Sequence, residues 1–272
     1  MATTQHHDAA AAVPELHCRR VGAGPDLVML HGWGLHAGIW EPVIEALSGC
    51  FRLHLYDLPG HGRSAPAEGF GLEVLRAALL RSVPERAHWL GWSLGGLAAL
   101  DFAAHHPDRV SRLALVACNA QFVATADWPQ AMTPEVLEDF ALALETDHAA
   151  TLKRFLGLVA RGAPGSGVLR ALRSAMQAAP PPTAGALCSG LEILRATDLR
   201  AQARALPMPV LWLAGARDTL VPVAALRVLA GANPQQRLFE IAQAGHAPFI
   251  SHPDAFIAAV TEFFACTTKP AC

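Results

Sequence analysis

The stretch AHWLGWSLGGLAALDFAAH, residues 87–105, decides the fold. Its first four residues are an apolar run that predicts a strand, and the small and apolar residues from Leu94 onward predict a buried helix. Between them, Gly91-Trp92-Ser93-Leu94-Gly95 matches G-x-S-x-G, in which the glycines leave room for a sharp strand-to-helix turn that presents a serine hydroxyl. Taken alone, the pattern is also compatible with a turn of small residues that packs a helix onto a sheet. Its position between a strand and a helix favours a nucleophilic serine.

Strand-like and helix-like segments alternate on both sides of this stretch. Strand-like runs predict further strands at residues 27–30, 51–56, 113–117, 210–214 and 237–241. Helical spacing predicts helices at residues 39–47, 72–82 and 254–265. Such alternation is typical of an α/β fold with a mostly parallel central sheet flanked by helices, and this is the fold class that we predict.

The alternation is interrupted between residues 119 and 206, where consecutive helices are predicted. Thr133-Pro134 is a typical helix start, with threonine as the cap and proline at the first helical position. A helical segment inserted into an α/β sheet is a candidate lid over a site at the strand ends. We therefore expect a core formed by residues 1–118 and 207–272 and a lid formed by residues 119–206.

Composition excludes several classes of protein. Hydrophobic residues make up 52% of the 272 residues and charged residues only 16%, which excludes a disordered chain. The net charge of −2 provides no basic field for nucleic acid, and residues 1–12 lack the basic and apolar regions of a signal peptide. The six cysteines and thirteen histidines show neither a disulfide framework nor a metal-binding spacing. We expect a cytoplasmic monomer without metal or cofactor and without nucleic-acid or membrane partners.

A nucleophilic serine needs a base, and the order of the chain supplies candidates. After G-x-S-x-G, this arrangement calls for an acid following a later strand and then a histidine near the end of the chain. Asp218 follows the predicted strand at residues 210–214, and His246 follows that at residues 237–241. We therefore predict a catalytic triad of Ser93, Asp218 and His246.

Three residues compete for roles in this triad. His252 begins a predicted helix and serves there as a possible cap, while Asp198 lies in the helical insertion. Asp57 comes too early in the chain order, and its surroundings favour a role in its own turn.

A tetrahedral intermediate needs two backbone donors for its oxyanion. The N–H of Leu94, directly after the nucleophile and at the positive end of the following helix, is the first candidate. The second is the N–H of Trp33, in the loop after the strand at residues 27–30.

Five motifs are shared with one group of enzymes: LHGWGL (30–35), DLPGHGRS (57–64), WLGWSLGG (89–96), GLEIL (190–194) and AGHAPFISHP (244–253). They resemble the α/β-hydrolase superfamily over nearly the whole chain, and within it the pimeloyl-[acyl-carrier protein] methyl ester esterase family of biotin synthesis. The second and third motifs occur throughout the superfamily. The paired Trp33 and Trp92, the GLEIL motif and the histidine segment are much more specific.

The resemblance implies hydrolysis of the methyl ester of a carrier-bound pimeloyl chain, with release of methanol. It implies substrate contacts at Trp33, Ser93, Leu94 and His246, and at a lid segment that comprises Phe155, Leu156, Gly157, Leu158 and Val159. Val159 stands where a member of the family has glutamine, so this chain lacks a polar side chain at that position.

The predicted lid carries a charge signal of its own. Between residues 150 and 200 there are seven basic and two acidic residues, although the whole chain is slightly acidic. A basic lid suggests a docking surface for an acidic partner, and the alternative is a solvated face that keeps the lid soluble. Acyl carrier proteins are strongly acidic, so the resemblance favours docking. The candidate docking residues are Arg154 and Arg161, expected on one face of a continuous helix, and Arg170 and Arg173 on the next helix.

The leading hypothesis is a serine carboxylesterase that acts on pimeloyl-[acyl-carrier protein] methyl ester. The second is a carboxylesterase or thioesterase of broader specificity that acts on small acyl esters with the same triad. A third, from another class, is a non-catalytic ligand-binding protein of the same fold, which the complete set of serine, aspartate and histidine disfavours. Hydrolases that place an aspartate at the nucleophile position are disfavoured by Ser93.

Overall fold

A seven-stranded sheet forms the centre of the protein. The computed structural model describes residues 13–67, 69–163 and 167–265. Residues 1–12, interpreted above as lacking a signal peptide, and Cys266 and Cys272 lie outside these ranges. The strands are β1 (Cys18–Val21), β2 (Asp26–Leu30), β3 (Arg52–Tyr56), β4 (Ala87–Trp92), β5 (Val110–Val116), β6 (Val210–Gly215) and β7 (Gln236–Ile241).

The strands lie in the order β1-β3-β2-β4-β5-β6-β7, and every neighbouring pair is parallel except β1 and β3. The predicted mostly parallel α/β sheet is therefore confirmed. The sequence analysis did not identify β1. Its four residues are half-buried or exposed, because it is an edge strand that contributes no continuous apolar run.

Helices flank the sheet, and several of them lie between β5 and β6 in the chain. They are α1 (Glu41–Ser48), α2 (Leu72–Ser82), α3 (Leu94–His105), α4 (Pro134–Thr146), α5 (His148–Val159), α6 (Gly167–Gln177), α7 (Ala184–Ala196), α8 (Arg200–Ala205), α9 (Val223–Gly231), α10 (Pro248–Ser251) and α11 (Pro253–Ala265). Among the described residues, no helix combines the length and apolar character needed to cross a membrane.

Helices α4 to α8 all lie between β5 and β6, within the segment assigned to the lid. Helix α4 begins as predicted, with Thr133 at the cap position and Pro134 as its first residue, although the Thr133 side chain makes no capping hydrogen bond. Helix α5 has a side-chain cap, because Asp147 accepts a hydrogen bond from the Ala150 N–H.

Helix α3 is held unusually close to the sheet by glycines. A Cβ atom at Gly95 would lie 2.3 Å from the carbonyl oxygen of His31, at the end of β2, and one at Gly91 would lie 2.4 Å from the carbonyl oxygen of Gly95. Both distances are shorter than non-bonded atoms allow, so only glycine permits this approach. The first turn of α3 and the loop after β2 are consequently neighbours.

Two buried histidines join the loops that follow β2 and β3. His31 Nε2 accepts a hydrogen bond of 2.9 Å from the Leu58 N–H, and His61 Nε2 accepts one of 3.4 Å from the Gly34 N–H. In each ring Nδ1 lies 2.8–2.9 Å from a backbone carbonyl oxygen, so the proton is on Nδ1. These contacts fix the loop that contains Trp33.

Both rings are neutral at physiological pH. Burial disfavours the charged imidazolium and lowers the pKa of His31 to about 3, with a further contribution from the neighbouring His61. Burial likewise lowers the pKa of His61 to about 4. Each histidine therefore takes up a proton more readily in the unfolded chain than in the folded one.

We expect the free energy of unfolding to decrease as the pH falls from about 6.5 toward 4. Over this range the unfolded chain binds protons that the native histidines do not, which costs up to about 1 kcal/mol per pH unit for each histidine. Urea unfolding of the wild type and of His61→Asn at pH 7, 6 and 5 tests this. Asparagine keeps a donor near the Pro59 carbonyl but does not titrate, so the pH dependence should become shallower, and an unchanged slope would contradict the assignment.

Candidate active site

Ser93 occupies a strained turn between β4 and α3. Its φ of 54° and ψ of −119° are unfavourable for a residue with a side chain. Its N–H donates a 3.0 Å hydrogen bond to the carbonyl oxygen of Val116 on the neighbouring strand, which holds the turn in place. The turn directs the chain from strand to helix within one residue, as the G-x-S-x-G pattern predicts.

Asp218 and His246 are joined in a buried pair. His246 Nδ1 lies 2.8 Å from Asp218 Oδ2, and both side chains are at most 2% exposed. The other carboxylate oxygen, Oδ1, accepts hydrogen bonds of 2.8 and 3.0 Å from the N–H groups of Leu220 and Val221. These bonds orient the carboxylate, and the carboxylate in turn places the imidazole proton on Nδ1.

His246 Nε2 is left as a free, buried nitrogen. It has no hydrogen-bond partner among the described residues. Ser93 and His246 line the same cavity, although the Ser93 hydroxyl does not hydrogen bond to the imidazole in this structure. Hydrogen bonds between a nucleophile and its base are often long without substrate, so this arrangement is compatible with general-base activation.

The competing residues lie elsewhere. Asp57 accepts hydrogen bonds from the N–H of Arg63 in its own loop and from the N–H of Ala37 in the segment after β2, so it joins these two segments. Asp198 pairs with Arg200 in the lid, and His252 contacts the Ser251 hydroxyl at the junction of α10 and α11.

The predicted oxyanion donors are on adjacent elements. Trp33 and Leu94 are both buried, and their backbone N–H groups donate no hydrogen bond to any residue that the structure describes. Strands β2 and β4 pair in parallel, with Leu30 opposite Gly91, so the loop carrying Trp33 and the start of α3 emerge at the same edge of the sheet.

The cavity beside Ser93 is almost entirely apolar. Ten of its twelve lining residues are apolar, and Ser93 and His246 are the other two. Helix α4 contributes Phe140, α5 contributes Phe155 and α7 contributes Leu191. The sequence predicts consecutive helices in this segment, but not that α4 and α7 supply much of the cavity wall.

The residues of the predicted substrate-binding segment of α5 differ in their surroundings. Phe155 lines the cavity, whereas Leu156, Gly157, Leu158 and Val159 do not. Leu156 and Val159 are buried in the lid, Leu158 is half-buried, and Gly157 is exposed with open space where a side chain would be. Substrate contacts at these four residues remain a prediction.

The four candidate docking arginines are all exposed, but Arg154 and Arg161 do not share one face of a continuous helix as predicted. Helix α5 ends at Val159, so Arg161 lies beyond it and not on the face of Arg154. Arg154 lies 3.7 Å from the Asp139 carboxylate and over the Phe140 ring. Arg170 and Arg173 line one surface groove on α6 and make no salt bridge with any described residue.

Trp92 is a supporting residue whose role the sequence analysis missed. Its Nε1 donates a 2.8 Å hydrogen bond to the carbonyl oxygen of His246, and its ring lies 2.9 Å from where a Cβ atom at Gly32 would be. It therefore links the histidine loop to the loop after β2. The sequence shows that Trp92 belongs to the G-x-S-x-G motif, but the residues that Trp92 contacts are distant in the chain.

Comparisons with known proteins agree with this fold. The family model described as alpha/beta hydrolase fold matches residues 25–253. The pimeloyl-[acyl-carrier protein] methyl ester esterase of Edwardsiella ictaluri is 46% identical over 244 residues, which cover 89% of this chain and 94% of that protein. The enzyme of the same name from Xanthomonas axonopodis pv. citri is 43% identical over 252 residues, or 92% and 99% of the two chains.

The chain belongs to the pimeloyl-[acyl-carrier protein] methyl ester esterase family of alpha/beta hydrolases. Solved structures of alpha/beta hydrolases resemble this family member over most of its length. A hydrolase from Pseudomonas aeruginosa has a TM-score of 0.80 at 27% identity and covers 96% of this chain and 99% of its own. An enol-lactonase from Burkholderia xenovorans has a TM-score of 0.80 at 29% identity, with coverage of 94% and 99%.

We expect Asp218→Asn to lower the kcat of this esterase family member on the order of 10³–10⁴-fold with little change in KM. An amide can donate to Nδ1 and thereby favour the tautomer with the proton on Nε2, which removes the base. Asp198→Asn is the control, since Asp198 is exposed in the lid. Steady-state kinetics on a methyl ester would contradict this assignment if Asp198→Asn lost activity and Asp218→Asn kept it.

Proposed function

We propose that this chain hydrolyses the methyl ester of pimeloyl-[acyl-carrier protein] and releases methanol, with Ser93 as nucleophile. The observation that carries the proposal is the position of Ser93 and the Asp218-paired His246 on one apolar cavity, in a chain that is 42–46% identical to esterases of that name. The reaction belongs to biotin synthesis, as it does for the family that the motifs resemble.

The proposed acylation step uses the geometry of the triad. Ser93 Oγ attacks the carbonyl carbon of the ester while His246 Nε2 takes the hydroxyl proton. The N–H groups of Trp33 and Leu94 stabilise the negative oxygen of the tetrahedral intermediate, and Asp218 stabilises the imidazolium. The imidazolium then donates its proton to the leaving methoxy oxygen, and methanol departs.

Deacylation repeats these transfers with water. His246 Nε2 takes a proton from a water molecule as its oxygen attacks the acyl-enzyme, and then returns a proton to Ser93 Oγ. The product is a carboxylic acid that ionises. None of the twelve residues that line the cavity carries a formal charge, so the cavity suits a neutral methyl ester and a methylene chain better than the carboxylate product.

We propose that the acyl carrier protein docks on the exposed arginines of the lid. The pimeloyl chain joins the methyl ester at one end to the carrier at the other, so the carrier lies outside the lid when the ester reaches Ser93. Arg170 and Arg173 are exposed side chains that form no salt bridge with a described residue, whereas Arg154 already faces Asp139. We place the centre of the docking surface at Arg170 and Arg173, with Arg154 and Arg161 at its margin.

The cytoplasmic location and the monomeric state predicted from the sequence remain predictions. Small acyl esters remain proposed secondary substrates, because they need only the triad and part of the cavity.

We expect Ser93→Ala to lower kcat on the order of 10⁴-fold or more while the melting temperature stays within a few degrees. The Ser93 side chain makes no hydrogen bond to any residue that the structure describes, so its removal should impair chemistry and not folding. In the wild type, an alkyl phosphonate should label Ser93 at one equivalent, as read by peptide mass spectrometry. Labelling of another residue would contradict the assignment.

We expect Arg170→Glu/Arg173→Glu to raise the KM for pimeloyl-[acyl-carrier protein] methyl ester without altering kinetics on a free short methyl ester. Loss of two surface contacts of about 0.2–1 kcal/mol each corresponds to a rise of up to about thirtyfold. The effect should shrink as salt is added, because exposed charges are screened.

Arg81→Glu/Arg86→Glu is the matched control for this experiment. It makes the same change of charge at exposed residues, and Arg86 directly precedes β4, at the opposite edge of the sheet from Ser93. Equal losses on both esters would show damage to the lid. A wild type with no preference for the carrier-bound ester would favour the broader esterase.

A further inference from the structure

The loop that carries Trp33 is attached to lid helix α7. Trp33 Nε1 donates a 2.9 Å hydrogen bond to the carbonyl oxygen of Leu187, and both groups are buried. The indole also makes an edge contact with Phe155 of α5, at 4.9 Å between ring centroids, and a more distant one with Phe140 of α4, at 6.3 Å. The Trp33 side chain is therefore enclosed by three lid helices.

Gly190, three residues after Leu187 on α7, contacts both residues assigned to the oxyanion site. A Cβ atom at Gly190 would lie 2.6 Å from Trp33 Cδ1 and 3.1 Å from Trp33 Nε1. The same atom would lie 3.1 Å from Leu94 Cδ2. One backbone position in the lid thus touches the side chains of the two residues whose N–H groups are the proposed oxyanion donors.

The helix itself gives no reason for a glycine at this position. Gly190 lies in the interior of α7, where glycine is less favourable than alanine by about 1 kcal/mol. The close contact with Trp33 supplies the reason, because any side chain would displace the indole. The indole has little freedom to yield, since Leu187 and Phe155 hold it on other sides.

We propose that Gly190 is a positioning residue for ester hydrolysis and that α7 sets the separation of the Trp33 and Leu94 N–H groups. This inference rests on the oxyanion assignment of the proposed function. A displaced indole moves the loop that carries it, and loss of one oxyanion donor generally lowers kcat by about 10²–10³-fold. The lid therefore does more than cover the substrate, because it also positions the two residues that donate to the oxyanion.

The test compares Gly190→Ala with Gly231→Ala. Both replace a helical glycine by alanine, but Gly231, the last residue of α9, is exposed and has nothing within 4 Å of the added Cβ atom. We expect Gly190→Ala to lower kcat at least tenfold on both the carrier-bound and the free ester, with KM within threefold of the wild type. Gly231→Ala should keep wild-type kinetics.

A second measurement distinguishes a positioning role of Gly190 from general damage to the protein. An alkyl boronic acid, whose tetrahedral adduct places an oxygen in the oxyanion site, should bind Gly190→Ala more weakly by about the same factor as the loss in kcat. The melting temperature of Gly190→Ala should fall by no more than a few degrees, because the helix preference of alanine offsets part of the cost of displacing the indole. Unchanged kcat, or a raised KM with unchanged kcat, would overturn the proposal.

The double variant Trp33→Leu/Gly190→Ala keeps the proposal testable if Gly190→Ala fails to fold. Leucine removes the ring that the added methyl group would meet, so the double variant should fold and have a kcat within twofold of Trp33→Leu alone. A further large decrease would show that Gly190 acts by another route. Phosphonate labelling of Ser93 in the wild type reports on the nucleophile independently, so failure of the proposed function is distinguishable from failure of this inference.

Discussion

The close approach of two backbones, at Gly95 on α3 and His31 at the end of β2, is the constraint on which the active site depends. It brings the first turn of α3 against the loop after β2, so Leu94 and Trp33 become neighbours although sixty residues separate them. The parallel pairing of β2 with β4 sets the register of that approach. The strained turn at Ser93 follows from the same geometry, since the chain must reverse from strand to helix in very little space.

Around this centre, hydrogen bonds fix the Asp218 carboxylate and one nitrogen of the His246 ring, and they leave the other ring nitrogen available for chemistry. The Asp218 carboxylate is held by two backbone N–H groups and by His246 Nδ1, while His246 Nε2 is buried and unpaired among the described residues. His31 and His61 stay neutral and act as fixed links between loops. Because burying an unpaired charge is costly, an apolar cavity beside one free base favours a neutral ester as the bound species.

The lid contacts the loops that form the active site at several points. Helix α7 accepts the Trp33 hydrogen bond, and its N-terminal cap residue Thr183 donates its N–H to the carbonyl oxygen of Gly60 in the loop after β3. The turn after α5 lies against the loops of the acid and the base. A Cβ atom at Gly162 would be 2.2 Å from the Arg217 carbonyl oxygen, and one at Gly245 would be 2.4 Å from the Arg161 carbonyl oxygen. The lid is therefore in direct backbone contact with the loops that carry Asp218 and His246.

The sequence by itself determined the parallel α/β fold and the strand–Ser93–helix turn, because apolar runs, glycine spacing and chain order are local properties. It also placed Asp218 and His246 after the correct strands, and the structure brings their side chains to hydrogen-bond distance. Tertiary structure alone decided which apolar faces of α4, α5 and α7 enclose the cavity, because helical spacing identifies a buried face but not its partner. It also decided that α5 ends before Arg161 and that Gly190 touches Trp33. The contact of Gly190 with Trp33 joins residues more than a hundred positions apart, and no local pattern encodes the distance between them.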